Sequence, residues 1–154
     1  MWMRHLGDPD AAAEYVLKRI GWDGMDMRDP AAVILALGWD LRELTSPGPE
    51  EGRVSEEHRT AYVRFLGDRR AIRRIIAHEC GHIIQLEMGH RFPHCECCAD
   101  QIGRAVCLGR RGIERQLRTE PPQQIVAGWE HIILPSEVAR RIFEVRRTSE
   151  RRTG

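Results

Sequence analysis

Five consecutive residues near the middle of the 154-residue chain have the types and spacing of a hydrolytic metal site: His78-Glu79-Cys80-Gly81-His82. On a helix, His78 and His82 lie one turn apart on the same face, so both imidazoles can bind one metal ion. Glu79, between them, can take a proton from a water molecule that the metal makes acidic. The motif therefore predicts zinc-dependent hydrolysis, with His78 and His82 as metal ligands and Glu79 as the general base.

The helix that would carry this motif, residues 68–88, is amphipathic. At helical spacing its isoleucines fall on one face and its arginines on the opposite face. Glu79 falls in the middle of the apolar face. Because burial of an unpaired carboxylate is costly or leads to its protonation, we expect Glu79 to be buried beside a specific partner such as a water molecule on a metal.

A catalytic zinc ion normally takes three protein ligands, so the histidine pair needs a third residue. The metzincin class, in which a third histidine follows at fixed spacing, is excluded because Gln85 and Met88 stand where that pattern has glycine and histidine. One candidate ligand is a thiolate from Cys95, Cys97 or Cys98, since zinc binds sulfur readily. The residues alone leave this alternative open.

The better candidate is Glu96, in the segment Glu96-Cys97-Cys98-Ala99-Asp100. At helical spacing, Glu96 and Asp100 share one face at the border of an apolar stripe. Glu96 could then bind the metal while Asp100, one turn later, orients a ligand imidazole through its other ring nitrogen. This is the gluzincin arrangement, in which a helix that supplies a glutamate follows the HExxH helix.

Together the two motifs, at residues 73–82 and 96–100, resemble those of the ImmA/IrrE family of small metallo-endopeptidases. In that family a strand leads into the HExxH helix and E-x-x-A-N/D follows. The resemblance covers residues 29–108, and residues 135–145 are loosely similar to the family's closing helix. It implies that His78, His82 and Glu96 bind one Zn²⁺, that Glu79 is the general base, and that Asp100 supports a ligand. Another divalent metal such as Mn²⁺ is an alternative to zinc at this site. The chain departs from the family in Cys80, where leucine is usual, and in a turn rich in cysteine and histidine.

Members of that family cleave a repressor or another helix-turn-helix regulator in phage, mobile-element or stress-response circuits. The resemblance therefore implies an endopeptidase of narrow specificity whose partner is a transcriptional regulator. The alternative is a metal-stabilised module that binds such a regulator without cutting it, as an anti-repressor would. The intact His78, Glu79 and His82 argue against this alternative, because a binding scaffold has no need of Glu79.

The sequence also contains candidates for two further roles, an oxyanion stabiliser and a second zinc site, but their patterns are less specific than the HExxH motif. Tyr62 and His131 could stabilise an oxyanion, although both residue types are more often structural. The sequence gives only a weak indication of a separate structural zinc site. Such a site normally needs a second cysteine pair some distance along the chain, and this chain has none. Its ligands would come from His90, His94, Cys95, Cys97 and Cys98.

Composition favours a single domain, residues 1–154, in the cytoplasm. Lys+Arg 24 against Asp+Glu 23 gives a net charge of +1, which offers no general attraction for nucleic acid or an anionic membrane. The sequence has no apolar leader and no run that approaches the ~18 apolar residues of a membrane span. The five cysteines are odd in number and crowded, which favours reduced thiols over a disulfide framework.

The sequence patterns of the helices and strands that must position these residues predict an α+β fold. We expect a small, zincin-like, mostly helical domain with a short sheet packed on the HExxH helix. Proline after aspartate opens helices at residues 9 and 30, which end near glycines 21 and 38. Alternating patterns predict strands at residues 39–44 and 59–66, separated by an exposed loop at 47–52. A second long helix is expected at 95–108 and a polar helix at 110–120. A short helix should start at Pro121-Pro122, and a last one should cover 135–145 before a frayed tail at 146–154.

Overall fold

The structure, a computed structural model, describes residues 8–89 and 95–153, with side chains described through residue 149. These residues form the predicted α+β fold. Helix α1 (Pro9–Leu17), a 3-10 turn (Lys18–Ile20) and α2 (Pro30–Ala36) precede three strands, β1 (Asp40–Glu43), β2 (Gly52–Ser55) and β3 (Thr60–Val63). The remaining helices are α3 (Arg69–Glu87), α4 (Glu96–Cys107), α5 (Arg110–Thr119), α6 (Pro122–Trp129) and α7 (Pro135–Thr153).

The sheet has the order β1-β3-β2, with β3 in the centre. β1 pairs with β3 in parallel and β2 pairs with β3 antiparallel. Ala61 of β3 belongs to the same buried cluster as Cys80, Ile83 and Ile84 of α3. The sheet therefore packs on the helix that carries the HExxH motif, and β3 leads into that helix through Gly67 and Asp68.

Strand β2 was not predicted, and β3 is shorter than predicted. Residues 52–55 form a strand of four residues with one aliphatic side chain, Val54, which is too short for a periodic signal. β3 ends at Val63, whereas the alternating pattern continued to residue 66. Phe65 and Leu66 are apolar, but they are 55% and 54% exposed, so their alternation does not reflect burial in the sheet.

The core has two parts that meet along α3 and α4. The first lies among α1, α2, α3, α4 and the sheet, and its fully buried side chains include Leu17, Ile34 and Ile102. The second joins Ala77 of α3 and the end of α4 to α5, α6 and α7 through Ile113, among others. Because α3 and α4 contribute to both parts, residues on these two helices are held on several sides.

Helices α3 and α4 approach so closely that only glycine fits at two positions. A Cβ atom on Gly81 of α3 would lie 2.0 Å from the carbonyl oxygen of Ala99, and one on Gly103 of α4 would lie 2.3 Å from that of Ala77. Each glycine therefore lies directly against the backbone of the other helix. This contact sets the distance between the HExxH motif and the residues at the start of α4.

The two longest helices, α3 and α7, have 19 residues each. Among residues 8–89 and 95–153, no helix combines enough length with enough apolar character to cross a membrane. α7 runs through Thr153, beyond residue 145, where the sequence pattern placed the end of the helix and a frayed tail. Arg110 of α5 supports this extension, since it donates to the carbonyl of Val145 and to the hydroxyls of Thr148 and Ser149.

Because Gly81 and Gly103 have no room for a side chain, we expect Gly81→Ala and Gly103→Ala each to lower the free energy of unfolding by about 3 kcal/mol. Gly128→Ala is the matched control, since the added Cβ in α6 meets nothing within 4 Å. This control should raise the free energy of unfolding by about 0.5 kcal/mol. Urea unfolding measures all three, and unchanged stability of both core variants would show that the helices can separate without cost.

A largely buried ion pair joins the first helix to the last. Arg141 of α7 is 1% exposed, donates to both carboxylate oxygens of Asp10, and donates through Nε to the carbonyl of Leu108 at 2.8 Å. Burial alone would raise the pKa of Asp10, but Arg141 and then Arg110 outweigh this effect and hold the pKa below its ordinary value. The folded protein therefore binds a proton at Asp10 less readily than the unfolded chain does.

Asp10 should accordingly contribute stability that is complete above its ordinary pKa of 3.8 and is lost as the pH falls through the lower folded-state value. At neutral pH, Asp10→Asn should lower the free energy of unfolding by about 3 kcal/mol, because Arg141 stays buried without its counter-ion. Below pH 3.8 the difference from wild type should shrink. Denaturant titrations at several pH values test this, with the exposed Asp23→Asn as a control; a difference independent of pH would contradict it.

Candidate metal centre

The two histidines of the HExxH motif face one cleft from the middle of α3. Asp68 caps this helix by accepting from the backbone N–H groups of Arg70 and Ala71, each at 3.0 Å. The His78 and His82 side chains are 20% and 17% exposed, and their Nε2 atoms lie 3.1 Å apart. The one-turn spacing thus brings two potential ligand atoms to the same point, as the sequence predicted.

Glu96, at the first position of α4, reaches both histidines. Its Oε2 atom lies 2.6 Å from His78 Nε2 and 3.0 Å from His82 Nε2. With zinc bonds of about 2.0–2.2 Å, the ligand atoms of a tetrahedral site lie about 3.3 Å apart. A triangle of two imidazole nitrogens and one carboxylate oxygen, with sides of 2.6, 3.0 and 3.1 Å, therefore fits a zinc ion after a small outward shift of the side chains.

Asp100, one turn after Glu96, holds the other nitrogen of His78. The Nδ1–H of His78 donates to Asp100 Oδ1 at 2.6 Å, which fixes the ring orientation and directs Nε2 towards Glu96. The hydrogen bond and charge of Asp100 raise the pKa of His78 to about 9, against the effect of burial. Asp100 therefore occupies the supporting position that the sequence suggested for it.

Gln85 has the corresponding position beside His82, and sequence reasoning missed it. The Nδ1–H of His82 donates to Gln85 Oε1 at 3.0 Å, and Gln85 Nε2 donates to the backbone carbonyl of Cys95 at 3.2 Å. Gln85 is fully buried. The signal available in the sequence was a polar residue three positions after His82, on the same side of the helix as the two histidines.

Glu79 is buried, as its place on the apolar face predicted. It is 3% exposed, and its Oε2 atom has no hydrogen-bond partner among the described residues. Burial raises the pKa of Glu79 to about 7, against the effect of His78. A carboxylate with this pKa can both accept and return a proton near neutral pH.

Strand β2 passes directly over Glu79. A Cβ atom on Gly52 would lie 2.9 Å from the carbonyl oxygen of Tyr62 and 3.1 Å from Glu79 Cγ, so glycine is the residue that lets the strand approach the carboxylate. β2 is an edge strand, and its outer side carries backbone N–H and C=O groups that β3 does not use. The unpredicted strand therefore forms one wall of the site.

These residues line a cleft of about 660 Å³. Its walls include Gly52 and Val54 of β2, while Arg74 enters one turn before His78 and forms an ion pair with Glu51. Arg74 is a cation near the ligand cluster that sequence reasoning did not select. An extended chain of a few residues could lie in a cleft of this kind, between the strand and the two helices.

Neither residue proposed as an oxyanion stabiliser reaches this cleft. Tyr62 lies on β3, where the guanidinium of Arg53 stacks 5.4 Å from its ring centre. His131 is exposed in the turn between α6 and α7. The structure therefore does not support either suggestion, because neither side chain lines the cleft that contains Glu79 and the two histidines.

The cysteines of the CxCC segment form their own group. The Sγ atoms of Cys95, Cys97 and Cys98 lie within 4.8 Å of one another, in a group separate from that of His78, Glu79 and His82. Cys95 and Cys98 form a disulfide, contrary to the expectation of reduced thiols. Residues three apart at a helix N-terminus can face each other, and this proximity is a property of the fold that composition does not reveal. His90 and His94, the other suggested ligands of a structural zinc site, lie outside the described residues.

No protein-family model matches the chain, and no curated protein matches it. The resemblance to the ImmA/IrrE family therefore rests on the two motifs alone. The function must be argued from the geometry of His78, Glu79, His82, Glu96 and Asp100.

We expect Gln85→Met, which keeps the shape of the side chain but removes its hydrogen bonds to His82 and Cys95, to weaken zinc binding about tenfold. The reason is that His82 would lose the acceptor that fixes its ring. Competition with a chromophoric chelator measures the affinity, and Gln124→Met on the exposed side of α6 is the control. Equal affinities in wild type and Gln85→Met would show that Gln85 is only a packing residue.

Proposed function

We propose that the protein is a zinc-dependent endopeptidase of narrow specificity that cleaves a transcriptional regulator in the cytoplasm. The observation that carries this proposal is the buried Glu79 carboxylate, whose Oε2 has no hydrogen-bond partner among the described residues and which lines the same cleft as His78, His82 and Glu96. A buried polar atom without a partner is costly in a folded protein. A catalytic role would account for a glutamate, rather than an apolar residue, at this buried position.

The donor set favours zinc. Two imidazole nitrogens and one carboxylate oxygen are the ligands of a catalytic zinc site that leaves one position for water or substrate. Asp100 and Gln85 each accept the Nδ1 proton of one histidine, so that Nε2 of both rings is directed at the same point. When bound there, zinc would polarise a peptide carbonyl and make a water molecule acidic.

The protein's own residues would then carry out the proton transfers. Glu79 accepts the proton of the attacking water on its carboxylate and returns it to the nitrogen of the departing amine. The burial of Glu79, which raises its pKa to about 7, suits both transfers. Arg74, in the same cleft, is a candidate for stabilising the negative charge that develops on the carbonyl oxygen.

A peptide is the substrate class that best suits the walls of the cleft. The outer side of β2 offers backbone donors and acceptors to an extended chain, which could add to the sheet as a further strand. Gly52 would place such a chain next to Glu79. That the cleaved protein is a helix-turn-helix regulator is an inference from the resemblance to the ImmA/IrrE family.

The second candidate function is a module that binds a regulator without cutting it. A metal held by His78, His82 and Glu96 would serve such a module as a structural staple. Nothing in that role calls for a buried carboxylate at position 79, where an apolar residue would be more stable. Glu79 is therefore the residue that discriminates between the two functions.

The test substrate is a helix-turn-helix regulator encoded by a gene next to the gene for this protein. We expect Glu79→Gln to cleave this regulator at least about 10²-fold more slowly than wild type does, while the variant protein retains one zinc ion per chain. His82→Ala and Glu96→Ala should lose both zinc and activity, because each removes a ligand. Elemental analysis gives the metal content, and gel electrophoresis with mass spectrometry gives cleavage and its site.

Cys97→Ser is the control for these variants, since Cys97 is exposed and adjacent to Glu96. It should retain zinc and activity. A stable complex with the regulator, formed equally by wild type and Glu79→Gln and cut by neither, would contradict the protease proposal and favour the binding module. Retention of zinc in Glu96→Ala together with its loss in a cysteine variant would move the third ligand to a thiolate.

A further inference from the structure

We propose that Cys95 and Cys98 form a reversible redox site, opened by a dithiol reductant, whose state determines how firmly Glu96 is held at the metal centre. The inference rests on the proposed function in so far as Glu96 binds the metal. Three features of the described residues carry it: the place of the disulfide in α4, its link to His82, and the exposed neighbouring thiol.

The disulfide closes the first turn of α4 around Glu96. Cys95 is the N-cap residue, and its Sγ accepts a hydrogen bond from the backbone N–H of Cys98 at 3.1 Å. Glu96 lies within the short ring that the two cysteines close. Because the Glu96 side chain is 77% exposed, little packing holds it in place. The disulfide is the covalent constraint nearest to this ligand.

A second connection runs from Cys95 to the other ligands. The carbonyl of Cys95 accepts from Gln85 Nε2 at 3.2 Å, and Gln85 Oε1 accepts from His82 Nδ1 at 3.0 Å. A shift of the backbone at Cys95 would therefore disturb the residue that orients His82. Both Glu96 and His82 thus depend on the position of one helix cap.

The neighbouring thiols differ in their access to solvent. Cys97 is exposed and its Sγ lies within 4.8 Å of the sulfur atoms of Cys95 and Cys98. Cys80 and Cys107 are buried. Cys95 and Cys98 are themselves only half-buried, so a small reagent can reach the disulfide more readily than the two core thiols.

The chemistry is thiol–disulfide exchange with a dithiol. One thiolate of the dithiol attacks a sulfur of the disulfide, breaks the S–S bond and forms a mixed disulfide. The second thiol of the reagent then displaces the protein sulfur and closes the reagent into a cyclic disulfide. The protein gains two electrons and two protons, as the Cys95 and Cys98 thiols, and the dithiol is oxidised by the same amount.

Reduction leaves the first turn of α4 with hydrogen bonds alone. The first turn of a helix has backbone N–H groups without partners in the helix and frays readily. Glu96 would then lose part of the preorganisation that keeps Oε2 next to both imidazoles. We expect zinc affinity to fall about tenfold, which is the lower end of the effect of removing a residue that supports a metal ligand.

The test compares zinc affinity of the full chain in its two redox states. Wild type is prepared oxidised, or treated with a dithiol that is then removed without air, and titrated with zinc against a chromophoric chelator. Alkylation and mass spectrometry count the free thiols, which should be Cys80, Cys97 and Cys107 in the oxidised form and all five cysteines after unfolding of the reduced form. Circular dichroism confirms that both forms are folded.

Two variants separate the disulfide from general effects of thiols. Cys98→Ser cannot form the bond and should bind zinc about tenfold more weakly than oxidised wild type, with no further response to the dithiol. Cys97→Ser keeps the bond and should respond to the dithiol as wild type does. Both carry the same substitution in the same turn, so each controls for the other.

Equal zinc affinity in the oxidised and reduced wild type would overturn the inference. Tighter zinc binding after reduction would also overturn it, because it would show that a released thiol becomes a zinc ligand. A failure to form the disulfide under oxidising conditions would also overturn it. The readout is affinity, so it can be separated from the proposed function. If zinc affinity depends on the redox state but no regulator is cleaved, only the protease proposal fails. If cleavage depends on Glu79 but zinc affinity is the same in both redox states, only the redox inference fails.

Discussion

The close contact between α3 and α4 is the constraint on which the rest of the site depends. Gly81 and Gly103 allow each helix to touch the backbone of the other, and a side chain at either position would overlap a carbonyl group. This short separation is what allows the small carboxylates of Glu96 and Asp100 to reach His78 from the neighbouring helix. A wider crossing would leave two histidines on one helix and two acids on another, without a common centre.

The same packing creates the unusual environment of Glu79. The glutamate lies on the inner face of α3, below an edge strand that approaches it at Gly52, and its Oε2 lacks a hydrogen-bond partner among the described residues. A stability criterion alone would place an apolar residue there. Local choices that cost stability are concentrated at functional sites, which is why the proposed function rests on this carboxylate.

The start of α4 combines several roles within six residues. Cys95 caps the helix, Glu96 reaches both imidazoles, Cys98 closes a disulfide with Cys95, and Asp100 orients His78. Because Gln85 connects Cys95 to His82, the two histidines and the cap form one hydrogen-bonded unit. A shift of Cys95, Glu96 or Asp100 would therefore move the groups that contact His78 and His82.

Local periodicity is what the sequence determined by itself. The 3.6-residue repeat aligned His78 with His82 and placed Glu79 on the buried face, and consecutive strand patterns between helical segments indicated the α+β class. Contacts between elements were decided by the tertiary structure, because they depend on how closely helices and strands pack. That packing brought Glu96 rather than a thiol to the histidines, placed β2 over Glu79, and joined Cys95 to Cys98 although composition favoured free thiols.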